Sequence, residues 1–209
     1  MIARGGSFAV VAATSMIARV RRQQMIEAAV EVIDQIGVSQ ASLVRIARQM
    51  GVSRKLITYH FDSRAALFAA VVEQIYDLGR SEVQPEANAA RSPEAMLTAF
   101  IRGSIAFYAR HVREMRVLSA LYASDDPDAP NRDESDHHRE EMTAVDAILT
   151  GGQEAGLFRS FDVGLAADLV RVTLDLGLRR IIAGDPPAAV AEELDRFVLA
   201  GLRAEQSRI

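Results

Sequence analysis

Apolar residues recur at intervals of three and four positions along almost the whole chain, and no segment alternates apolar and polar residues over the length of a strand. The first pattern places apolar side chains along one side of an α-helix, whereas alternation is typical of a half-buried strand. The sequence therefore predicts an all-α protein. Start and stop signals divide it into about nine helices, near residues 17–36, 42–50, 53–61, 63–83, 92–111, 114–123, 137–155, 163–183 and 188–204.

Several of these boundaries depend on single residues. Gly51 follows the second helix in a position that suits a left-handed backbone, and Pro85 is expected to end the fourth helix. Ser92, Pro93 and Glu94 supply an N-cap, a first-turn proline and a first-turn acid for the fifth helix. Residues 124–136 are rich in Asp, Pro and Asn, and this composition predicts a mobile acidic loop.

Charge is distributed unevenly along the chain, which has a formal net charge of −4. Residues 16–64 carry eight basic and four acidic side chains, whereas residues 65–209 carry 15 basic and 24 acidic ones. A basic N-terminal segment joined to an acidic remainder is typical of a DNA-binding domain fused to a second domain.

The most informative stretch is residues 42–67, where two short predicted helices flank the turn formed by residues 50–53. A glycine in the turn and a serine cap at the next helix are typical of a helix-turn-helix. Ile57 and Phe61 would anchor the second of these helices. Its opposite side would present Arg54, Lys55, Thr58 and Tyr59, which suit a DNA groove but also suit an ordinary solvated face.

This stretch resembles the TetR family of transcriptional regulators. The resemblance is carried by the sequences IARQMGVS at residues 46–53 and ITYHF at residues 57–61, followed by Ser63-Arg64 and Leu67-Phe68. It implies that Ser42 caps a helix and touches a phosphate, and that His60 braces the recognition helix or contacts the backbone. It further implies that Arg64 binds phosphate. The residues that it places in or beside the major groove are Ser53, Arg54, Lys55, Thr58 and Tyr59. Arg45, Lys55 and Thr58 depart from residues common in the family, so base contacts are not carried over.

A single helix-turn-helix reads only a few base pairs, so a homodimer is expected. Two apolar stripes in the last two helices could form its interface or belong to the core of one chain. The residues predicted for the interface are Leu169, Val172, Leu176, Leu194, Phe197, Val198 and Leu202. The middle helices are expected to bind a small-molecule effector, although core packing explains the same pattern. The residues predicted for this pocket are Phe100, Phe107, Tyr108, Met115, Leu118, Tyr122 and Met142.

These expectations give three segments: a disordered arm at 1–16, the DNA-binding domain at 17–63, and a ligand-binding and dimerisation domain at 64–209. The chain has no cysteine, no apolar run long enough for a membrane, and no convincing signal peptide, so we expect a cytoplasmic protein without a metal or other cofactor. His137, His138, Glu140 and Glu141 crowd together as metal ligands do, but they are better explained as a solvated helix start.

Three functions remain distinguishable at this point. The first is a repressor of transcription that leaves its double-stranded DNA operator when an effector binds. The second is a DNA-binding adaptor whose C-terminal helices bind a protein partner. The third is an enzyme, which lacks support because no nucleophile, phosphate-loop, dinucleotide or zinc-protease motif occurs in the sequence.

Overall fold

The computed structural model describes residues 6–204, with the backbone alone for residues 6–15. Over this range the chain is all-helical, as predicted, apart from one isolated antiparallel bridge between Phe158 and Arg203. A short 3-10 turn spans Val38–Gln40. The α-helices of the described range are α1 (Gly6–Ile36), α2 (Leu43–Gln49), α3 (Arg54–His60), α4 (Arg64–Ala89), α5 (Pro93–Arg110), α6 (Val112–Tyr122), α7 (Asp136–Glu154), α8 (Val163–Ile182) and α9 (Pro187–Leu202).

Helix α1 begins earlier than the sequence pattern predicts. The backbone is helical from Gly6, whereas a disordered arm was expected over residues 1–16; residues 1–5 lie outside the described range. No Gly or Pro occurs between Ser7 and Ile36. Because nothing in this segment interrupts the backbone hydrogen bonds, a helix formed around the buried residues of its second half can extend toward the N-terminus.

Helix α4 does not end at Pro85, and this boundary prediction is wrong. The helix continues to Ala89 with the proline inside it. Val83 and Ala87, on either side of the proline, are both buried. An interior proline removes one backbone hydrogen bond, and the burial of these two side chains offsets that loss.

The chain divides into two compact units. Unit 1 contains residues 1–72 and 117–130, and its fully buried side chains come from α1 to α4 and from the end of α6. The largest of them are Met25, Ile46, Ile57, Phe61, Leu67, Phe68 and Leu121. The boundary within α4 lies between Val72 and Glu73, later than the division at residue 64 that the sequence pattern suggested.

Unit 2 contains residues 73–116 and 131–209. Helix α5 is central in this unit because it packs against α7, α8 and α9. Its buried residues Leu97, Ile101 and Ile105 form the middle of the core, together with Leu149 and Leu174. Gly177 allows a close approach here, since an added Cβ would lie 2.4 Å from the Ile105 Cδ1 atom.

Candidate functional site

Helices α2 and α3 form a helix-turn-helix whose local structure follows from three residues. The Ser42 hydroxyl accepts a hydrogen bond from the backbone N–H of Arg45, and the Ser53 hydroxyl accepts one from that of Leu56, both at 3.3 Å. Between the helices Gly51 adopts φ +66°, a conformation that favours glycine. Both caps and the turn therefore lie where the sequence predicts them.

Helix α3 has one buried side and one exposed side. Ile57 is fully buried, and Phe61 just beyond the helix is almost so. The exposed residues are Ser53, Arg54, Lys55, Thr58 and Tyr59. Tyr59 is 81% exposed, although the tendency of tyrosine to be buried in folded proteins is intermediate and not low. We call these five residues the recognition face.

Residue Arg22 of α1 fixes the end of α3. Its Nη1 atom donates a hydrogen bond to the backbone carbonyl of His60 at 3.1 Å, and its guanidinium lies 4.1 Å from the centroid of the Phe61 ring. The carbonyl groups in the last turn of a helix have no partner within the helix, so a cation stabilises them. His60 itself is half-buried, with its ring edge against Tyr59. Sequence reasoning counted Arg22 only as part of the basic charge.

Arg64 does not present a free cation for phosphate, contrary to the role that the family resemblance implies. Its Nε atom donates to Asp128 at 2.7 Å, and its Nη2 atom forms a short ion pair with Asp126. Only 18% of its side chain is exposed. The backbone N–H of Asp128 and the Arg64 guanidinium together lower the pKa of the Asp126 carboxyl. Both partners lie more than 60 residues away in the sequence.

The residues predicted to bind an effector do not all fall in one unit. Phe107, Tyr108 and Met115 are buried in unit 2, where Phe100 and Met142 are half-buried. Leu118 is buried and Tyr122 is half-buried, but both belong to unit 1. The structure therefore brings only part of the predicted set together around α5.

Unit 2 contains a buried polar cluster that includes one predicted residue, Tyr108. Arg171 of α8 donates to the Tyr108 hydroxyl at 2.8 Å and to Glu141 of α7 at 3.1 Å. It also forms an ion pair with Asp175 at 3.3 Å, and only 14% of its side chain is exposed. The Asp175 carboxyl is shared with Arg132 at 2.7 Å. We call these five residues the Arg171 cluster.

The Arg171 cluster leaves hydrogen-bonding capacity unused. The buried Nε atom of Arg171 and the buried Nδ1 atom of His138 have no hydrogen-bond partner. The His138 Nδ1 atom lies 4.0 Å from the same Glu141 oxygen that Arg171 contacts. Burial raises the pKa of the Tyr108 hydroxyl, so the phenol keeps its proton and can donate it.

His138 and Glu141 are therefore not part of a solvated helix start, and that interpretation of the sequence is wrong for these two residues. Their side chains are only 16% and 22% exposed. His137 on the neighbouring position stacks on the ring of Tyr76 at 5.6 Å. Within residues 6–204, no group of three or more His, Cys, Asp or Glu side chains is arranged to hold a metal ion.

An exposed apolar stripe runs along α8, and α9, which packs against α8, also exposes an apolar side chain. Leu165, Leu169, Val172 and Leu176 on α8 and Phe197 on α9 are all exposed. Leu194 and Val198, also predicted for a dimer interface, are half-buried. Leu202 is buried within unit 2, so its assignment to the interface is wrong; its backbone carbonyl accepts a hydrogen bond from Arg159.

None of the helices in the described range is sufficiently long and apolar to span a membrane.

Known bacterial regulators are similar in sequence to part of the chain. Residues 25–71 match the family of bacterial regulatory proteins called the tetR family. The HTH-type transcriptional regulator BetI 1 of Chromohalobacter salexigens is 35% identical over 86 residues, which are 41% of this chain and 43% of that protein. BetI of Pseudomonas fluorescens is 34% identical over 107 residues, 50% of this chain and 54% of that protein. The chain thus spans about half the length of the curated relatives it matches.

Solved structures resemble the whole fold. The fatty acid degradation regulator FadR of Bacillus halodurans superposes with a TM-score of 0.74 at 21% identity, covering 87% of this chain and 99% of that one. A putative transcriptional regulator of Saccharomonospora viridis in complex with choline has a TM-score of 0.74 at 18% identity, covering 90% and 100%. FadR of Bacillus subtilis, in complex with stearoyl-CoA, has a TM-score of 0.72 at 20% identity, covering 86% and 98%. At these identities the likeness establishes the fold alone.

Proposed function

We propose that the chain, whose residues 25–71 match the tetR family of bacterial regulatory proteins, is a repressor of that family that binds operator DNA and is released by a small-molecule effector. The observation that carries the DNA-binding part is the recognition face of α3. It combines two cations, two hydroxyl side chains and an exposed tyrosine on a helix whose other side is fully anchored. Such side chains bind phosphates and base edges in the major groove.

The charge of the recognition face supports this proposal. Arg54 and Lys55 form no ion pair with any side chain in the described part of the protein. Lys55 is also the only lysine in the sequence. Cations without carboxylate partners are ready to replace the counterions of a DNA backbone, and the energy of that exchange depends strongly on salt.

The experiment measures binding of DNA fragments selected by the protein from genomic DNA of its source. We expect Lys55→Ala and Tyr59→Ala each to weaken binding roughly tenfold, and Lys55→Ala to reduce the salt slope by about one. Gln35→Ala, which removes an exposed side chain of α1 in the same unit, is the matched control. Equal affinities for all four proteins would contradict the assignment of the recognition face.

We assign the effector to unit 2, with the Arg171 cluster as its polar part. A buried donor without a partner destabilises the folded chain by about 1–3 kcal/mol. A ligand oxygen that accepts a hydrogen bond from the Arg171 Nε atom would therefore bind at a site that is already desolvated. Choline and stearoyl-CoA, which two of the similar structures contain as complexes, are the first compounds to test by thermal shift. A tenfold loss of DNA affinity on addition of either would support release by an effector.

The second candidate is a DNA-binding adaptor whose C-terminal helices bind a protein partner. The exposed apolar stripe on α8 and α9 is the observation that favours it. A homodimer explains the same stripe and also supplies the two recognition helices that a specific operator needs. A purified protein that is monomeric while it binds DNA would favour the adaptor.

A further inference from the structure

The loop that follows α6 binds Arg64, which is the first cation after the recognition helix in the sequence. Arg64 is the first residue of α4, four positions after the end of α3. Its Nε atom and its Nη2 atom each bind one carboxylate, from Asp128 and Asp126. All of these residues belong to unit 1.

Hydrogen bonds within the first part of this loop hold residues 124–129 in a turn around the Asp126 carboxylate, although the composition of residues 124–136 predicts mobility. The Asp126 carboxylate accepts the backbone N–H of Asp128 at 3.0 Å, and its backbone carbonyl accepts that of Ala129 at 2.9 Å. The Ser124 hydroxyl in turn accepts the backbone N–H of Asp126 at 3.2 Å. These bonds hold the Asp126 carboxylate in place, so little entropy is lost when it pairs with Arg64.

The two carboxylates satisfy the donors that a phosphate would use. The Nε and Nη2 atoms of an arginine form the paired donors for a bidentate oxyanion, and here two carboxylate oxygens fill both positions. Two negative charges next to one positive charge also leave a local charge of −1, which repels a DNA backbone. Arg64 differs in this respect from Arg54 and Lys55 of the recognition face.

We propose that Asp126 and Asp128 form an intramolecular phosphate mimic that occupies Arg64 and weakens DNA binding while the loop is closed. This proposal depends on the DNA-binding function proposed above. Both ends of the loop segment continue along the chain into unit 2, through α6 and through residue 131. A structural change that displaces the loop would release the Arg64 guanidinium for one additional phosphate contact.

The test compares the affinity of the full chain and its variants for a fluorescein-labelled 30-base-pair duplex of random sequence. The double variant Asp126→Asn, Asp128→Asn keeps an oxygen that can accept the backbone N–H bonds of the loop but removes both charges. One additional phosphate contact steepens the salt slope by about 0.9, which corresponds to roughly fivefold tighter binding at 0.15 M salt. We expect this gain in the double variant.

Two controls separate the contact with Arg64 from a general change in net charge. The variant Asp125→Asn, Asp133→Asn removes two exposed carboxylates near the same loop and is expected to change affinity less than twofold. In an Arg64→Gln background the charge removal at Asp126 and Asp128 should bring no gain. Circular dichroism melting curves show whether each variant is folded.

The outcomes distinguish the two proposals. If the wild type binds the duplex and the double variant binds no more tightly than the charge control, the phosphate mimic is refuted while DNA binding stands. A gain that persists without Arg64 refutes it as well. If neither the wild type nor any folded variant binds DNA in a salt-dependent way, the proposed function fails and the phosphate mimic fails with it.

Discussion

At the scale of single residues, His138 is a partly buried imidazole whose pKa is lower in the folded chain than in the unfolded one. Burial lowers the pKa of its imidazole, and the charges of Arg171 and Arg132 lower it further against those of Glu141 and Asp133. The unfolded chain therefore binds a proton at a pH where the folded chain does not. This difference stabilises the fold fully above about pH 6.5, and the stabilisation is lost as pH falls below that value.

We expect the melting temperature of the wild type to fall between about pH 7 and pH 5, and that of His138→Gln to fall less over the same range. Differential scanning calorimetry in buffers of equal ionic strength measures both slopes. His137→Gln, at the adjacent position of α7, is the control for removing an imidazole, and equal slopes for the two variants would contradict the assignment to His138. Identical slopes for wild type and His138→Gln would show that this imidazole does not contribute.

Residue contacts across long sequence separations mark the limit of what the sequence predicts. The serine caps at positions 42 and 53 and the turn at Gly51 follow from neighbouring residues, so their positions are predictable. The partners of Arg64 lie 62 and 64 positions away, and a family resemblance gives no information about them. Two of the three partners of Arg171, Tyr108 and Glu141, come likewise from other helices, up to 63 positions away.

At the scale of helices, a pair of adjacent glycines in α7 shows how closely one segment packs. The ring of Phe158, which is buried after the end of α7, lies directly over Gly152. A Cβ atom at residue 152 would lie 2.0 Å from the ring, whereas one at Gly151 would lie 3.8 Å from its nearest neighbour, Pro93. Packing therefore requires a glycine at position 152 but not at position 151.

We expect Gly152→Ala to lower the free energy of unfolding by about 3 kcal/mol, because the Phe158 ring must leave its place. Gly151→Ala should instead raise it by up to about 1 kcal/mol through better helix propensity. Urea denaturation of both variants gives the comparison. A Gly152→Ala variant as stable as the wild type would mean that the ring has another place to pack.

Helix boundaries were predictable where a local signal coincided with tertiary packing. Helices α2 and α3 begin after their predicted caps, and α5 begins with the predicted Ser92 cap and Pro93. At Pro85 the local signal and the packing disagree, and the buried side chains of α4 prevail. A stop signal in the sequence therefore gave the wrong boundary where burial continued beyond it.

At the scale of the whole molecule, the exposed stripe on α8 and α9 calls for a partner. Leu169 is 60%, Val172 58% and Phe197 74% exposed. A contiguous group of large apolar side chains in water is typical of a protein interface. Leu176 is exposed as well, so four of the residues that the sequence pattern predicted for a homodimer interface are exposed.

We expect Val172→Glu to convert a dimer to a monomer at micromolar concentration, because two copies of the stripe would bring a pair of buried like charges together. Light scattering after size-exclusion chromatography measures the mass, and affinity for selected DNA should fall at least tenfold with loss of the second recognition helix. Ala189→Glu, at an exposed position near the start of α9, is the control. A wild type that is monomeric at these concentrations would contradict the prediction.

The contact between Arg22 and the end of α3 bears on where translation of such a chain could start. Methionines stand at positions 1, 16 and 25 in this part of the sequence. A product initiated at Met16 keeps Arg22, so the His60 carbonyl and the Phe61 ring retain their guanidinium. A product initiated at Met25 loses it, and its recognition helix would fray at the C-terminal turn although every residue of the helix-turn-helix is present.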